Sequence, residues 1–281
     1  MIENQFSRTA RGAALHRAAH QTFEQGAIFQ DPLACAILGL TPVEAAAEAA
    51  NDDHGRRMRL FVAARARFAE DCLAQAVRRG VRQAVVLGAG LDTFGLRNPH
   101  AGLGLRVFEV DHPDTQAWKR ERLAAMGQRL PESLTFAPVD FERDSFLERL
   151  ATVGFDMERP AFFVWLGVTP YLTREATLAS LAAIGSIPGG EVAFDYTEGR
   201  KPHEGEGLAF HDRLTERVAA LGEPIVGALD PQDLAKEAAA RGLTEQEDLD
   251  ISAIRVRYFG APPDPAQRTS SGHLFRARRP D

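Results

Sequence analysis

Short apolar runs that alternate with helix-like segments between residues 81 and 195 restrict the fold of this chain more than any other feature. Five such runs are rich in β-branched and aromatic residues, and each ends at a glycine, an aspartate or a Leu-Gly pair. Strands that alternate with helices form parallel sheets, because each helix returns the chain to the edge where the previous strand began. The pattern predicts an α/β fold with a doubly wound, mostly parallel sheet, with strands at 83–87, 106–110, 134–139, 162–165 and 191–194.

The first 80 residues differ from this pattern. They are rich in alanine and leucine without strand-like alternation, which predicts a helical cap, residues 1–80, within the same domain as residues 81–281. Thr41-Pro42-Val43-Glu44 has the residues of a capping box at a helix start. A long helix is expected over residues 58–79, ending at Gly80.

The remaining elements are predicted from their caps and their patterns. Helices are expected between the strands at 113–126, 145–152 and 174–186. Asp212 and Asp230 are expected N-caps of two later helices that stop at Gly222 and Gly242. The apolar runs 254–259 and 273–277 predict an antiparallel pair of strands at one edge of the sheet.

Composition argues against several classes of function. The 281 residues are 44% hydrophobic, enough for one large domain with a substantial core. No apolar run approaches the roughly 20 residues of a membrane span, and residues 1–10 lack a secretory signal. The net charge is -6 without a basic stripe, which argues against nucleic acid as a partner. Cys35 and Cys72 form no disulfide framework, so a cytoplasmic location is expected.

The histidines give weak signals. His16 and His20 stand four residues apart on a predicted helix, but no third ligand has clear spacing, so a wetted helix face is expected and no metal is predicted. His112, before Pro113, is expected to be a turn residue, although it could act as a base. His203 and His211 follow the fifth strand and could face a substrate.

The segment Ala84-Val85-Val86-Leu87-Gly88-Ala89-Gly90-Leu91-Asp92 joins an apolar strand to a Gly-x-Gly turn. Gly88 and Gly90 let the backbone turn tightly and let a ligand come close. A dinucleotide site would need a third glycine at position 93 for the pyrophosphate, and that residue is Thr93. This weakens the alternative of an NAD-dependent oxidoreductase without excluding it.

Acidic residues follow the second and third predicted strands. Ligands of a doubly wound sheet bind at the carboxyl ends of its strands, and Asp111 stands at the offset of about 20 residues where a ribose-binding carboxylate belongs. Asp140 could accept a hydrogen bond from an adenine amino group. S-adenosylmethionine carries a sulfonium and an ammonium group and no phosphate, so carboxylates without a basic cradle suit it. Each aspartate could instead cap the next helix, as Asp111 before Pro113 could.

Motifs along about the first 200 residues resemble the leucine carboxyl methyltransferase family, and more closely its bacterial branch of S-adenosylmethionine-dependent methyltransferases. The resemblance implies a Rossmann-like class I methyltransferase fold with the N-terminal helices as a lid over the cofactor. The segments that carry it are, in chain order, Ser7-Arg8-Thr9-Ala10, Asp31-Pro32-Leu33-Ala34, Arg65-Ala66-Arg67-Phe68, Val86-Leu87-Gly88-Ala89-Gly90-Leu91-Asp92-Thr93, Phe108-Glu109-Val110-Asp111-His112-Pro113, Pro138-Val139-Asp140-Phe141 and Trp165-Leu166-Gly167-Val168-Thr169-Pro170-Tyr171-Leu172-Thr173.

The resemblance also implies roles for individual residues. The glycine turn lines the methionine part of the cofactor and Arg65 meets its carboxylate, while Asp111 holds the ribose and Asp140 with Phe141 holds the adenine. The cofactor-binding set implied in this way is Arg17, Arg65, Gly88, Ala89, Gly90, Asp92, Asp111, His112, Asp140, Phe141 and Leu166. Many relatives carry Glu at the position of Leu166, where it contacts the cofactor's amino group, and Leu cannot make that contact.

The predicted function is transfer of a methyl group from S-adenosylmethionine to a carboxylate of a small metabolite or peptide. Tyr171 is the candidate catalytic residue, since it lies in the motif that faces the transfer site in the family. A hydroxyl or phenol acceptor, with His203 or His211 as base, remains an alternative. A cofactor-binding interaction protein without catalysis is a further alternative, and the sequence leaves the oligomeric state open.

Overall fold

The computed structural model describes residues 8–50, 55–141, 144–199, 226–262 and 272–280. They belong to two compact units, an N-terminal unit of Ile2–Asp156 and a C-terminal unit of Met157–Asp281. The seven described strands form one sheet in the order β3-β2-β1-β4-β5-β7-β6. The predicted α/β fold with a mostly parallel sheet is therefore confirmed.

In the described part of the N-terminal unit, four helices precede the first strand. β1 pairs in parallel with β2, and β2 with β3, with Val85 opposite Phe108 and Phe108 opposite Thr135. All five residues of β1 are buried, which explains its unbroken apolar sequence. The elements are α1 (Arg8–Phe23), α2 (Ala34–Leu38), α3 (Pro42–Ala50), α4 (Gly55–Arg78), β1 (Gln83–Leu87), α5 (Phe94–Arg97), a 3-10 helix (Ala101–Leu103), β2 (Arg106–Asp111), α6 (Pro113–Ala125), β3 (Leu134–Pro138) and α7 (Phe146–Thr152).

In the C-terminal unit, β4 pairs in parallel with β5, and β7 pairs antiparallel with both β5 and β6. Phe194 of β5 lies opposite Phe275 of β7, with the two ring centroids 5.3 Å apart. The elements are β4 (Phe162–Trp165), a 3-10 helix (Thr169–Tyr171), α8 (Arg174–Ser186), β5 (Glu191–Thr197), α9 (Pro231–Ala240), β6 (Glu245–Leu249), α10 (Ile251–Phe259) and β7 (Gly272–Arg278).

Two of the predicted helix starts have the expected capping contacts. The capping box forms, because Glu44 Oε2 accepts from the Thr41 amide at 2.8 Å and Thr41 Oγ1 accepts from the Glu44 amide at 3.2 Å. Asp230 caps α9 by accepting from the amides of Gln232 and Asp233. The helix expected after Asp212 lies outside the described residues.

One strand prediction is wrong. Residues 254–259 belong to helix α10, and the antiparallel partner of β7 at the sheet edge is β6. Asp250 accepts a hydrogen bond from the Ala253 amide at the start of α10, and Gly260, with φ of 63°, ends it. These two caps outweigh the strand-like alternation of the run.

Every helix within the described ranges is too short or too polar to cross a bilayer.

Candidate active site

The turn after β1 has the tight geometry that its glycines predict. Gly88 and Gly90 have φ of 64° and 45°, in the left-handed region that favours glycine. A Cβ added to Gly90 would lie 2.9 Å from the Cβ of Ala10, so helix α1 packs directly on the turn. The Asp92 amide donates to the Ala89 carbonyl at 2.7 Å, which closes the turn.

Asp111, the last residue of β2, binds this turn. One carboxylate oxygen accepts from the amide of Gly90, and the other accepts from the amide of His112 at 2.7 Å. Burial raises the pKa of the Asp111 carboxyl against these two hydrogen bonds, which favour the ionised form. Each oxygen keeps a further lone pair, so the carboxylate can still accept from a ligand hydroxyl.

The N-cap of α6 is His112. Its Nδ1 accepts from the Asp114 amide at 3.3 Å, and Pro113 occupies the first helical position. The alternative in which Asp111 caps this helix is therefore wrong, and its side chain points to the glycine turn instead.

The other predicted residues of the N-terminal unit lie as follows. Asp92 Oδ1 accepts from the amide of Phe94 at 2.7 Å, at the start of α5. Asp140 is half-buried just after β3, and the adjacent Phe141 is 45% exposed. Arg65 is half-buried on α4.

Arg17 is buried and engaged within the protein. Its Nε donates to Asp31 Oδ2 at 3.2 Å and its Nη2 donates to the Leu91 carbonyl at 2.5 Å. Arg17 thus connects α1 to the residue after Gly90. Its remaining N–H groups leave the predicted cofactor contact possible.

His20 does not lie on a wetted face, so that expectation is wrong for this residue. Its side chain is fully buried, its Nδ1 lies 3.1 Å from Glu24 Oε2, and its Nε2 accepts from the amides of Ile28 and Phe29. Burial lowers the pKa of His20, although the neighbouring Glu24 raises it. Within the described residues, no three His, Cys, Asp or Glu side chains are grouped to hold a metal ion.

The predicted transfer motif lies in the C-terminal unit, on the turn that follows β4. Leu166 and Tyr171 are both half-buried, and Tyr171 ends the 3-10 helix. The buried Asp195, near the end of β5, accepts from the Gly167 amide at 2.6 Å, and its carbonyl accepts from Thr169 Oγ1 at 2.6 Å. Sequence reasoning gave Asp195 no role, although its place after an apolar run was a signal.

Gly227 also contacts this turn. The amide of Gly227 donates to the Pro170 carbonyl at 2.9 Å, and a Cβ at Gly227 would lie 2.2 Å from the Thr169 carbonyl oxygen. A side chain at position 227 would displace the turn that carries Tyr171.

A buried ion pair lies two residues before Asp111. Glu109 is fully buried, and its Oε2 lies 2.5 Å from Lys119 Nζ on α6. Burial raises the pKa of Glu109 to about 7, against the opposing effect of Lys119. The pair fixes α6 to β2 close to Asp111 along the strand.

Comparison with known proteins identifies the family of this chain. The model of the leucine carboxyl methyltransferase family matches residues 10–185. The "Putative S-adenosyl-L-methionine-dependent methyltransferase YktD" of Bacillus subtilis is 32% identical over 217 residues, which cover 76% of this chain and 71% of that protein. A similarly named protein of Mycolicibacterium gilvum is 33% identical over 166 residues, covering 58% of this chain and 50% of that protein.

Two solved structures share the fold. A DUF574 family protein from Streptomyces avermitilis has a TM-score of 0.59 at 15% identity, and the match covers 100% of both chains. A structure from Thermobifida fusca, described as a "putative methyltransferase", has a TM-score of 0.59 at 17% identity, covering 95% of this chain and 94% of that one. The family match and the relatives favour neither an oxidoreductase nor a protein without catalysis. The chain belongs to the leucine carboxyl methyltransferase family and is an S-adenosylmethionine-dependent methyltransferase.

Proposed function

We propose that this enzyme methylates a carboxylate of a small metabolite or a peptide, forming a methyl ester. The family match over residues 10–185 carries this proposal, because the family is named for a carboxyl acceptor. The residues after β5 that would select the acceptor fall beyond the matched segment. The family match therefore supports the reaction type and leaves the acceptor's identity to experiment.

The carboxylate acceptor fits the chemistry of the transfer motif. Methyl transfer is an in-line displacement at a carbon that the sulfonium already activates, so the protein mainly aligns the nucleophile and excludes water. A carboxylate, with an ordinary pKa of about 4, is ionised at neutral pH and needs no base. The motif from Leu166 to Tyr171 contains no strong base, and we propose that the Tyr171 hydroxyl donates a hydrogen bond that orients the acceptor.

The cofactor is proposed to lie along the carboxyl ends of β1, β2 and β3. Asp111 accepts from the ribose hydroxyls, since its carboxylate lies beside the Gly90 amide. The exposed ring of Phe141 packs on the adenine, and Asp140 accepts from the adenine amino group. The proposed contacts to the rest of the cofactor come from Arg17, Arg65, Gly88, Ala89, Gly90, Asp92, His112 and Leu166.

A hydroxyl acceptor is the competing proposal, because it would need a base. The two histidines first considered for that role, His203 and His211, lie outside the described residues. His273 of β7 is described, and its Nδ1 lies 3.0 Å from Asp248 Oδ1. Burial lowers the pKa of His273, but the hydrogen bond and charge of Asp248, with the nearby Glu198, raise it above its usual value overall.

The test is to identify the product. The enzyme is incubated with labelled S-adenosylmethionine and a panel of carboxylic acids, peptides and phenols, and methylated products are detected by mass spectrometry. A methyl ester is expected, which mild alkali hydrolyses. The rate should stay flat from about pH 6 to 9, because the acceptor is ionised throughout.

A methylated product that resists alkali would contradict the proposal. So would a rate that rises through a histidine-like pKa near 6.5 and is lost on replacing His203 or His211. Either result would assign the enzyme a hydroxyl acceptor.

A further inference from the structure

The turn after Gly90 is held by buried side chains that sequence reasoning left without a role. Thr93 is fully buried, and its Oγ1 donates to Asp31 Oδ1 at 2.8 Å while accepting from Arg97 Nε at 2.9 Å. Asp31 is 1% exposed, and its other oxygen accepts from Arg17 at 3.2 Å. The Thr93 hydroxyl therefore lies in the middle of a continuous buried hydrogen-bond network.

Arg17 joins this network to the backbone of the glycine turn. The same guanidinium that binds Asp31 donates to the carbonyl of Leu91 at 2.5 Å. Leu91 and Thr93 stand on either side of Asp92, so both neighbours of a proposed cofactor residue are held by the N-terminal segment. Because the Leu91 carbonyl and the Thr93 side chain are both held, the backbone path through residues 91–93 is restricted.

Asp31 is oriented by contacts outside the turn. Its amide donates to Gln21 Oε1 at 3.1 Å, and its Oδ1 also accepts from the Leu33 amide at 3.1 Å. Gln21 in turn donates to the carbonyls of Arg17 and Phe29, each at 3.0 Å. The aspartate therefore presents its carboxylate to Thr93 in a fixed direction.

The charges within this network balance. Asp31 lies beside Arg17 and 3.5 Å from Arg97 Nε, and Arg97 also donates to Glu70 at 2.6 Å. Two guanidinium groups thus face two carboxylates in a poorly hydrated region. Such pairs keep a fixed geometry because separating buried charges is unfavourable.

We propose that the network of Arg17, Asp31 and Thr93 is a positioning device that holds the glycine turn in its cofactor-binding conformation before S-adenosylmethionine arrives. It follows that the segment from α1 to Asp31 sets the affinity for the cofactor without the need for Asp31 or Thr93 to touch it. This inference rests on the proposed location of the cofactor at the turn.

The test uses a matched pair of variants, Thr93→Val and Thr93→Ser. Valine has nearly the shape of threonine but cannot bind Asp31 or Arg97, whereas serine keeps the hydroxyl. Calorimetry with S-adenosylhomocysteine should show a Kd raised about tenfold for Thr93→Val and within about twofold of wild type for Thr93→Ser. Hydrogen exchange of the cofactor-free protein should be faster at the amides of Gly90 and Asp92 in Thr93→Val only.

A control separates positioning from loss of stability. Arg59, 7% exposed, donates to Glu24 at 2.7 Å through both Nε and Nη2. It ties the residue that follows α1 to α4 without a described contact to the glycine turn. Arg59→Met should lower Tm but leave the Kd for S-adenosylhomocysteine within about twofold. Equal weakening of binding by Arg59→Met and Thr93→Val would overturn the proposal.

Two further variants complete the design. Asp111→Ala tests the cofactor location itself: if it weakens binding while Thr93→Val does not, the positioning role is wrong and the location stands. If Asp111→Ala leaves the Kd unchanged, the location is wrong. Should Thr93→Val fail to fold, Asp31→Asn keeps the shape of the side chain but loses the charge that binds Arg17 and Thr93, and it is expected to raise the Kd in the same way.

Discussion

Asp111 is the residue on which the proposed cofactor site depends most. Its carboxylate already accepts from the Gly90 and His112 amides, so the acceptor is oriented before a ribose binds. Hydrogen bonds to charged groups contribute about 1.5–3 kcal/mol each. Asp111→Ala should therefore raise the Kd for S-adenosylmethionine at least about tenfold, as measured by calorimetry.

The matched control is Asp111→Asn, which keeps the shape of the side chain and one acceptor oxygen. It should weaken binding by less than Asp111→Ala and leave the far-ultraviolet circular dichroism unchanged. Unchanged affinity in a folded Asp111→Ala protein would contradict the proposed location of the cofactor.

His20 makes the stability of the N-terminal unit depend on pH. In the folded protein the buried, neutral ring accepts from the amides of Ile28 and Phe29, and its pKa is lowered from 6.5. Below about pH 6.5 the unfolded chain binds a proton that the folded chain resists, so this contribution to stability is full above that pH and is lost as the pH falls toward the folded-state pKa.

Urea unfolding of wild type and His20→Gln at several pH values tests this direction of the pH dependence of stability. Wild type should lose stability between about pH 7.5 and 5.5, and the variant, less stable at the higher pH, should lose less over the same range. Parallel curves for the two proteins would show that another group titrates.

At the scale of elements, helix α1 and the glycine turn are in direct contact. Gly90→Ala would place a Cβ 2.9 Å from that of Ala10 and would also strain the backbone, since φ there is 45°. The left-handed conformation alone costs about 1–2 kcal/mol for a residue with a Cβ. We expect reduced affinity for S-adenosylmethionine and a lower Tm.

A second substitution separates the two causes. Ala10→Gly removes the opposing methyl group but leaves the backbone strain, so the double variant should recover part of the affinity lost in Gly90→Ala. Ala10→Gly alone should bind nearly as wild type does. No recovery in the double variant would place the whole effect in the turn and none in the packing of α1.

The edge strands show where local sequence signals mislead. Residues 254–259 carry β-branched and aromatic side chains, yet the caps at Asp250 and Gly260 make this segment a helix. β6, in contrast, has the acidic sequence Glu-Gln-Glu-Asp-Leu, and Leu249 is its one buried residue. An exposed edge strand needs few apolar residues, so its pairing with β7 is set by tertiary contact that no local pattern reveals.

At the scale of the whole molecule, the sequence predicted the features that depend on local segments and missed those that depend on contacts between distant residues. The central strands and the glycine turn follow from short segments, because burial on both faces demands a continuous apolar run. The contact between Asp31 and Thr93 joins residues 62 positions apart. Nothing local predicts such a contact, and the same holds for the bond from Arg17 to the Leu91 carbonyl, 74 positions away.

The uneven distribution of the proposed cofactor residues leads to a test on the intact chain. All of them except Leu166 belong to the N-terminal unit, Ile2–Asp156. S-adenosylhomocysteine at about 100 times its Kd should raise the free energy of unfolding by about 2.7 kcal/mol, because it binds only the folded state. NAD at the same concentration should leave the stability of wild type unchanged. S-adenosylhomocysteine should also leave the stability of Asp111→Ala unchanged, at a concentration well below that variant's Kd.

Hydrogen exchange with and without S-adenosylhomocysteine then locates the effect. Protection should be strongest at residues 88–93, at 111–112 and at 140–141, where backbone amides adjoin the proposed contacts. The Gly90 amide is a useful internal reference, since it already donates to Asp111 and should be partly protected without ligand. Protection confined to Met157–Asp281 would refute the proposed location of the cofactor, because the residues assigned to its ribose and adenine all precede that unit.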